Sequence, residues 1–269
     1  MARPRALVLA ARGSNRDRDV ALALQLAGAE PTILPMHDAL AAPEQLAEAQ
    51  LLVLPGGFSY GDDLGAGRLW ALELRAGLEE ALRTFVASGK PVLGICNGFQ
   101  ALVKSGLLPG PLADGDDIAF APQRASLARN ARAHFECRWV WLEPDPACRS
   151  PWLSALHGQR VLCPVAHGEG RFVADDDVLD RLEAAGQLAV RYVDADGGPL
   201  PEPEAAWPAN PNGSLRHVAG ICNAAGNVFG LMPHPEDHVL PTQRPRTLPG
   251  PVGLGLPIFA AGVAYAADC

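Results

Sequence analysis

Two short segments, far apart in the chain, hold residue types that could carry out nucleophilic chemistry together. The first is Gly94-Ile95-Cys96-Asn97-Gly98. It closes the apolar run PVLGIC and opens FQALVKSG, whose apolar residues fall at helical spacing. A strand, a sharp turn with a nucleophile at its tip and then a helix form a nucleophile elbow, here with cysteine in the serine position. Glycines on both sides relieve crowding at a strained turn. The helix N-terminus that follows presents unpaired N–H groups and the positive end of its dipole, which favour the reactive thiolate. The backbone N–H of Asn97, with one from the Gly56-Gly57 turn, could bind the oxyanion of a tetrahedral intermediate. The plainer reading of this segment alone is a buried cysteine in an ordinary βα turn. The second segment is Pro233-His234-Pro235-Glu236, which ends the run NVFGLM. A thiolate nucleophile needs a proton carrier, and that carrier needs a group to orient it. The prolines restrict the backbone around His234. In an extended stretch, residues two apart face the same way, so Glu236 can lie beside His234 and hold its ring. The plainer reading here is a proline-rigidified exit turn.

The segments between these two supply the frame. ALVLA (6–10), TILP (32–35), LLVL (51–54) and PVLGIC from Pro91 are short continuous apolar runs, as expected of strands buried on both faces. Helix-patterned stretches separate them, beginning with VALALQLAGAE from Val20. Alternation of this kind predicts a parallel sheet with crossover helices, whose ligand site lies beyond the carboxyl ends of the strands. A single domain over residues 1–269 is expected, with loop insertions around 111–160, 195–215 and 240–252. The proline-rich stretch 197–214 reads as a long ordered loop and the cluster PTQRPRTLPGP (241–251) as a connector.

Composition narrows the function classes. Lys and Arg total 22 against 30 Asp and Glu, for a net charge of −8, which disfavours nucleic acid as a partner. The apolar C-terminal stretch GLGLPIFAAGVAYAADC is broken by Pro257 and is shorter than the roughly 20 residues that span a bilayer, so it is expected to be a helix packed on the core, with no membrane association. Arg12 interrupts the first apolar run, so no export signal is expected and a cytoplasmic location is. The six cysteines include no C-x-x-C pair, and neither a disulfide framework nor a metal site is expected.

An elbow G-I-C-N-G-F-Q with a distal H-P-E resembles the class I, or triad, glutamine amidotransferases. Within that class the chain is similar to the glutaminase subunits of phosphoribosylformylglycinamidine synthases. The similarity extends through GGFSYGDDLGAG (56–67), GKPVLGICNGFQ (89–100), RNARAHFECRWV (129–140), AHGEGRF (166–172), NPNGS (210–214) and GICNAAGNVFGLMPHPE (220–236). The resemblance implies a flavodoxin-like, doubly wound, mostly parallel α/β sheet. It makes Cys96 the nucleophile, His234 the base and acid, and Glu236 its orienting partner. Glutamine and the oxyanion would be contacted by Gly57, Asn97, Gln100, Gly168 and Glu169. It further implies a synthetase partner, with or without a small accessory subunit. ATP and magnesium would belong to the synthetase, leaving this chain without a cofactor. Two other readings of a cysteine elbow on such a sheet are a hydrolase or stress protein of the DJ-1 and intracellular-protease superfamily, and a binding module without activity. Against the first, Asn97 and not histidine follows the cysteine. The chain departs from its class at two positions. Arg16 stands where a small thiol is usual, and Asp237, after H-P-E, stands where arginine is usual.

Overall fold

The computed structural model describes residues 3–112, 120–248 and 255–269. The first half of the chain is a run of βα units: β1 (Arg5–Ala10), α1 (Asp17–Leu26), β2 (Glu30–Pro35), α2 (Met36–Ala41), β3 (Leu51–Leu54), α3 (Arg68–Gly77), α4 (Glu79–Ala87), β4 (Val92–Ile95) and α5 (Asn97–Ser105). All eight residues of β3 and β4 are buried, as their uninterrupted apolar sequences require of strands covered on both faces. Helix α5 lies on β3 and β4, and α3 packs against it. The rest comprises β5 (Ala125–Ala128), β6 (Glu136–Pro144), β7 (Val161–His167), β8 (Arg171–Ala174), α6 (Asp176–Ala184), β9 (Val190–Val193), β10 (Val218–Cys222), β11 (Val228–Leu231) and α7 (Leu256–Ala266). Helix α7 is the expected C-terminal helix. It packs on α1 and β3, with Pro257 in its first turn, where a missing N–H is harmless.

Nine strands form one sheet in the order β2-β1-β3-β4-β11-β10-β9-β6-β7, and β5 and β8 make a separate ribbon. The four pairings from β2 to β11 are parallel. The four from β11 to β7 are antiparallel. The central sheet is therefore mixed: the expected parallel arrangement occupies the half around the elbow, and an antiparallel half extends it. The stretch around 111–160, expected to be a loop insertion, contains β5 and the nine-residue β6. Strand β6, ECRWVWLEP, buries only Glu136, Val140, Leu142 and Pro144, so it lacks the continuous apolar run that marks the parallel strands. Residues 113–119 of that stretch, and 249–252 of the expected insertion at 240–252, lie outside the described residues. Between Val193 and Leu215 there is no helix or strand among the described residues.

Candidate active site

Strands β4 and β11 are parallel neighbours with Ile95 directly opposite Leu231, so both end at the same edge of the sheet. Cys96 follows the first and the Pro233–Glu236 segment follows the second, with the Cys96 N–H donating to Leu231 O at 2.8 Å. Cys96 sits at φ 50°, ψ −105°, a region costly for any residue with a Cβ and typical of functional turns. Its glycine neighbours make the turn possible: a Cβ on Gly98 would stand 2.0 Å from Leu54 O, and one on Gly94 would meet Leu102 and the Phe99 nitrogen. The thiol is almost fully buried, with Sγ 4.0 Å from Ala166 O.

His234 and Glu236 are buried together, with Nδ1 and Oε1 2.7 Å apart. The carboxylate can only accept, so Nδ1 donates to it and Nε2 is the nitrogen left for proton transfer. Nε2 makes no conventional hydrogen bond with the described residues. Burial opposes a charged ring here, yet the Glu236 carboxylate and the Cys96 thiol together raise the imidazole pKa well above its ordinary value. Gly56 makes room for the ring, since a Cβ there would lie 2.7 Å from His234 Cε1. The segment is held from behind by Gln243. Its Oε1 accepts from the Val239 and Leu240 N–H groups, each at 2.7 Å, and its Nε2 donates to Glu236 O at 2.9 Å. Part of the proline cluster expected as a connector thus braces the histidine.

Cys96 and His234 share a cavity of about 210 Å³ with Asn15, Arg16, Gly57, Phe58, Phe135 and Ala166. Gly57 has φ 144° and presses on the β1–α1 loop, where a Cβ would lie 2.7 Å from Ser14 Cα. The neighbouring Phe58 N–H is committed to Gly13 O at 3.1 Å, whereas Gly57 N–H bonds no other backbone group among the described residues. The N–H of Asn97, at the first position of α5, belongs to the unpaired first turn of that helix. These two groups suit the oxyanion role expected of them. The Asn97 side chain accepts from Ser59 N at 3.1 Å and donates to Asp62 Oδ1 at 3.2 Å and Gln100 Oε1 at 3.0 Å, tying the SYGDD loop to the elbow. Burial and the nearby Glu169 push the Asp62 pKa up to about 6. Gln100 donates to Glu169 O, and Gly168 O accepts from Asn130 N at 3.0 Å. Gln100, Gly168 and Glu169 therefore lie beside the elbow, linked to one another through protein contacts, but they are not in the wall of the Cys96 cavity.

Other residues around this turn were not singled out in the sequence. His167 is buried, and its Nε2 faces Asn212 Nδ2 at 3.1 Å. Burial and the nearby His234 lower its pKa to about 3, so the ring is neutral. The two hydrogens of Asn212 Nδ2 are shared among this contact, Gly170 O at 2.8 Å and Tyr192 Oη at 3.1 Å, and its Oδ1 accepts from Ser214 Oγ at 2.7 Å. Asn130 closes the network through Gly170 N at 3.1 Å and His167 O at 2.8 Å. A Cβ on Gly170 would strike the His167 ring at 2.2 Å. The segments HGEGRF and NPNGS carried the signal. The residue types in them suggest no chemistry of their own, which is why a structural role was not assigned.

His234, Glu236 and Asp237 bring potential metal-ligand atoms within 4.8 Å of one another. The His234 nitrogen nearest the carboxylate is already hydrogen-bonded to it, and Asp237 faces Arg16 with Nη2 and Oδ2 3.5 Å apart. These atoms are thus already engaged in a buried His–Glu hydrogen bond and an adjoining ion pair.

Residues 3–266 match the model of the CobB/CobQ-like glutamine amidotransferase domain. The chain is 48% identical over 247 residues to a phosphoribosylformylglycinamidine synthase subunit PurQ from Treponema denticola, covering 90% of this chain and 91% of that protein. It is 41% identical over 269 residues to the subunit of the same name from Dehalococcoides mccartyi, covering 99% of each. Among solved structures, a chain of PurLQS from Thermotoga maritima is similar with a TM-score of 0.73 and 32% identity, over 98% of this chain and 99% of that one.

Proposed function

The chain belongs to the CobB/CobQ-like glutamine amidotransferase domain family, and from that premise we propose that it is the glutaminase subunit of a phosphoribosylformylglycinamidine synthase of purine biosynthesis. The observation that carries this reading is the line Glu236–His234–Cys96, with the thiol and the free face of the imidazole opening into one cavity. The two PurQ relatives and the PurLQS chain supply the pathway.

The chemistry follows from these residues. The Cys96 thiolate attacks the side-chain amide carbon of glutamine, and the carbonyl oxygen becomes an oxyanion facing the Gly57 and Asn97 N–H groups. The raised imidazole pKa means that His234 holds a proton at Nε2 when the thiolate is present. That proton goes to the departing nitrogen as the C–N bond breaks, which leaves a thioester and releases ammonia. Neutral His234 then takes a proton from water, the hydroxide attacks the thioester, and glutamate leaves as the proton returns to Cys96. Glu236 keeps the ring in the correct tautomer throughout. Gln100, Gly168 and Glu169 form the side of the site on which the amino-acid end of glutamine is held, once Gln100 exchanges its contact with Glu169 O for the substrate.

Ammonia released into water at neutral pH is protonated and loses its nucleophilicity. A glutaminase of this kind therefore serves an attached synthetase, which we assign as the partner, with a small accessory subunit in the same assembly. ATP and magnesium act on the synthetase, where formylglycinamide ribonucleotide becomes formylglycinamidine ribonucleotide. No helix among the described residues is long and apolar enough to cross a membrane. As a subunit of a purine-biosynthetic enzyme the chain is placed in the cytoplasm, and its net charge of −8 disfavours nucleic acid as a partner. The test is glutamate formation by the chain alone and with its cognate synthetase, nucleotide and ribonucleotide present. Turnover that rises about tenfold or more on assembly supports the reading. Equal turnover with and without the synthetase, or none in either case, contradicts it.

A further inference from the structure

Arg16 and Asp237, charged residues on two different loops, meet in space. Arg16 reaches Asp237 through Nη2 at 3.5 Å and Asp19 through Nη1 at 3.3 Å. Arg16 closes the β1–α1 loop, and Asp237 lies in the 3-10 turn Pro235–His238 directly behind the catalytic histidine. The ion pair therefore joins two loops with different duties.

The β1–α1 loop is hydrogen-bonded as a unit to the Gly56–Tyr60 segment. Phe58 N–H donates to Gly13 O at 3.1 Å, Tyr60 N–H to Arg12 O at 2.7 Å, and both Asn15 and Arg16 N–H to Gly56 O at 3.4 Å. That unit carries the Gly57 N–H assigned to the oxyanion. The other loop carries His234 and Glu236. Between them lies Gly56, which has no side chain to fix the spacing: its Cβ direction points at His234 Cε1 at 2.7 Å and at Arg16 Cγ at 3.5 Å. The Arg16 stem thus runs over the Gly56 peptide, and its guanidinium continues to Asp237. Arg16 also forms part of the cavity wall beside Cys96 and His234.

We propose that Arg16 and Asp237 are a positioning pair that sets the distance between the oxyanion donor at Gly57 and the proton carrier His234. This rests on the glutaminase reading of the cavity. Arg16 is 37% and Asp237 21% exposed, and their contact joins the two loops that carry the reacting groups, not two elements of the core. The effect therefore falls on transition-state geometry, where displacements well below 1 Å change rates.

The experiment is a double-mutant cycle on the assembled enzyme, with the cognate synthetase and its substrates present. Arg16→Ala and Asp237→Asn should each reduce kcat about tenfold and leave the KM for glutamine within about twofold, because the contact acts in the transition state. The combined variant should be no worse than the poorer single, since both remove the same contact. Asp237→Arg alone sets two guanidinium groups against each other and should be the most impaired. Adding Arg16→Asp to Asp237→Arg restores an ion pair of reversed sense between the two loops and should recover most of the lost kcat. Co-elution with the synthetase should stay at the wild-type level in all of them, and kcat is compared per folded molecule. Independent, multiplicative losses, a change confined to KM, or failure of Arg16→Asp to rescue Asp237→Arg would each overturn the positioning role. The wild-type complex run in parallel separates the two claims. If it consumes glutamine and the variants match it, only the pair is wrong, whereas a wild-type complex without glutaminase turnover removes the premise itself.

Discussion

The parallel and antiparallel halves of the sheet contribute to one site by different physical means. In the parallel half, backbone geometry does the placing. The paired ends of β4 and β11 put Cys96 and His234 side by side, and glycines at 56, 94 and 98 admit contacts that any Cβ would block. In the antiparallel half, buried side-chain amides do the placing. Asn130, His167, Asn212 and Ser214 hold the Gly168–Gly170 turn against Gln100 through hydrogen bonds that no regular element requires. The first half is a rigid mount for the Cys96 and His234 side chains, and the second a frame for the turn beside them. Mutations in the first should remove chemistry and spare the fold, and mutations in the second should do the reverse.

The largest expected effect breaks the first half. Cys96→Ala should abolish glutamine-dependent product formation in the assembled enzyme while leaving ammonia-dependent synthesis, read by supplying ammonium salts at alkaline pH. His234→Ala comes next, with glutaminase turnover reduced by about 10²- to 10⁴-fold. Glu236→Gln should retain more activity than His234→Ala, because an amide oxygen still accepts from Nδ1 although the charge supporting the imidazolium is gone. Steady-state glutamate release orders the three, and a His234→Ala enzyme with wild-type turnover would refute the triad.

A smaller effect in kcat and a larger one in stability are expected from the antiparallel half. Asn212→Leu leaves His167 Nε2 without its partner and Gly170 O with only the longer Ser214 Oγ donor at 3.4 Å. It should cost about 2–4 kcal/mol in denaturant unfolding, with the rate per folded molecule falling less than in Cys96→Ala. Finest of all is the acid limb of the stability profile. His167 has its pKa lowered to about 3 when folded, so the unfolded chain takes up its proton first as the pH drops below about 6.5. Its contribution is complete above that value and declines towards pH 3, at up to about 1.4 kcal/mol per pH unit. Asp237 acts in the opposite sense. Its folded pKa is raised to about 6 by burial and the adjacent Glu236, so its contribution is present below about 3.8 and is lost as the pH rises through 6. His167→Gln, which keeps an acceptor for Asn212, should flatten the acid decline. An unchanged slope would show that the ring is not buried neutral.

What could be read in the sequence follows the same division. The runs ALVLA, LLVL and PVLGIC are strands because a strand covered on both faces must be apolar throughout, and the elbow is visible because its chemistry is local. Strand β6 was hidden because only alternate parts of ECRWVWLEP are buried. The roles of Asn130, Asn212 and His167 were hidden because hydrogen-bond partners 37 to 45 residues apart leave no local periodicity. Arg16 and Asp237 were visible only as two unrelated departures, and their charge complementarity appears once the strand order brings their loops together.

The central claim is that Cys96 is a glutamine-directed nucleophile, and its six-cysteine background provides a stringent control. By exposure, Cys137 and Cys269 should react first with an electrophile, since Cys96, Cys148, Cys163 and Cys222 are buried. A glutamine-derived diazoketone, followed by intact and peptide mass spectrometry, sets accessibility against activation. The account predicts a single adduct on Cys96, suppressed by excess glutamine and slowed in His234→Ala. Labelling that follows exposure, with Cys137 or Cys269 modified as fast as Cys96 and no protection by glutamine, would contradict it.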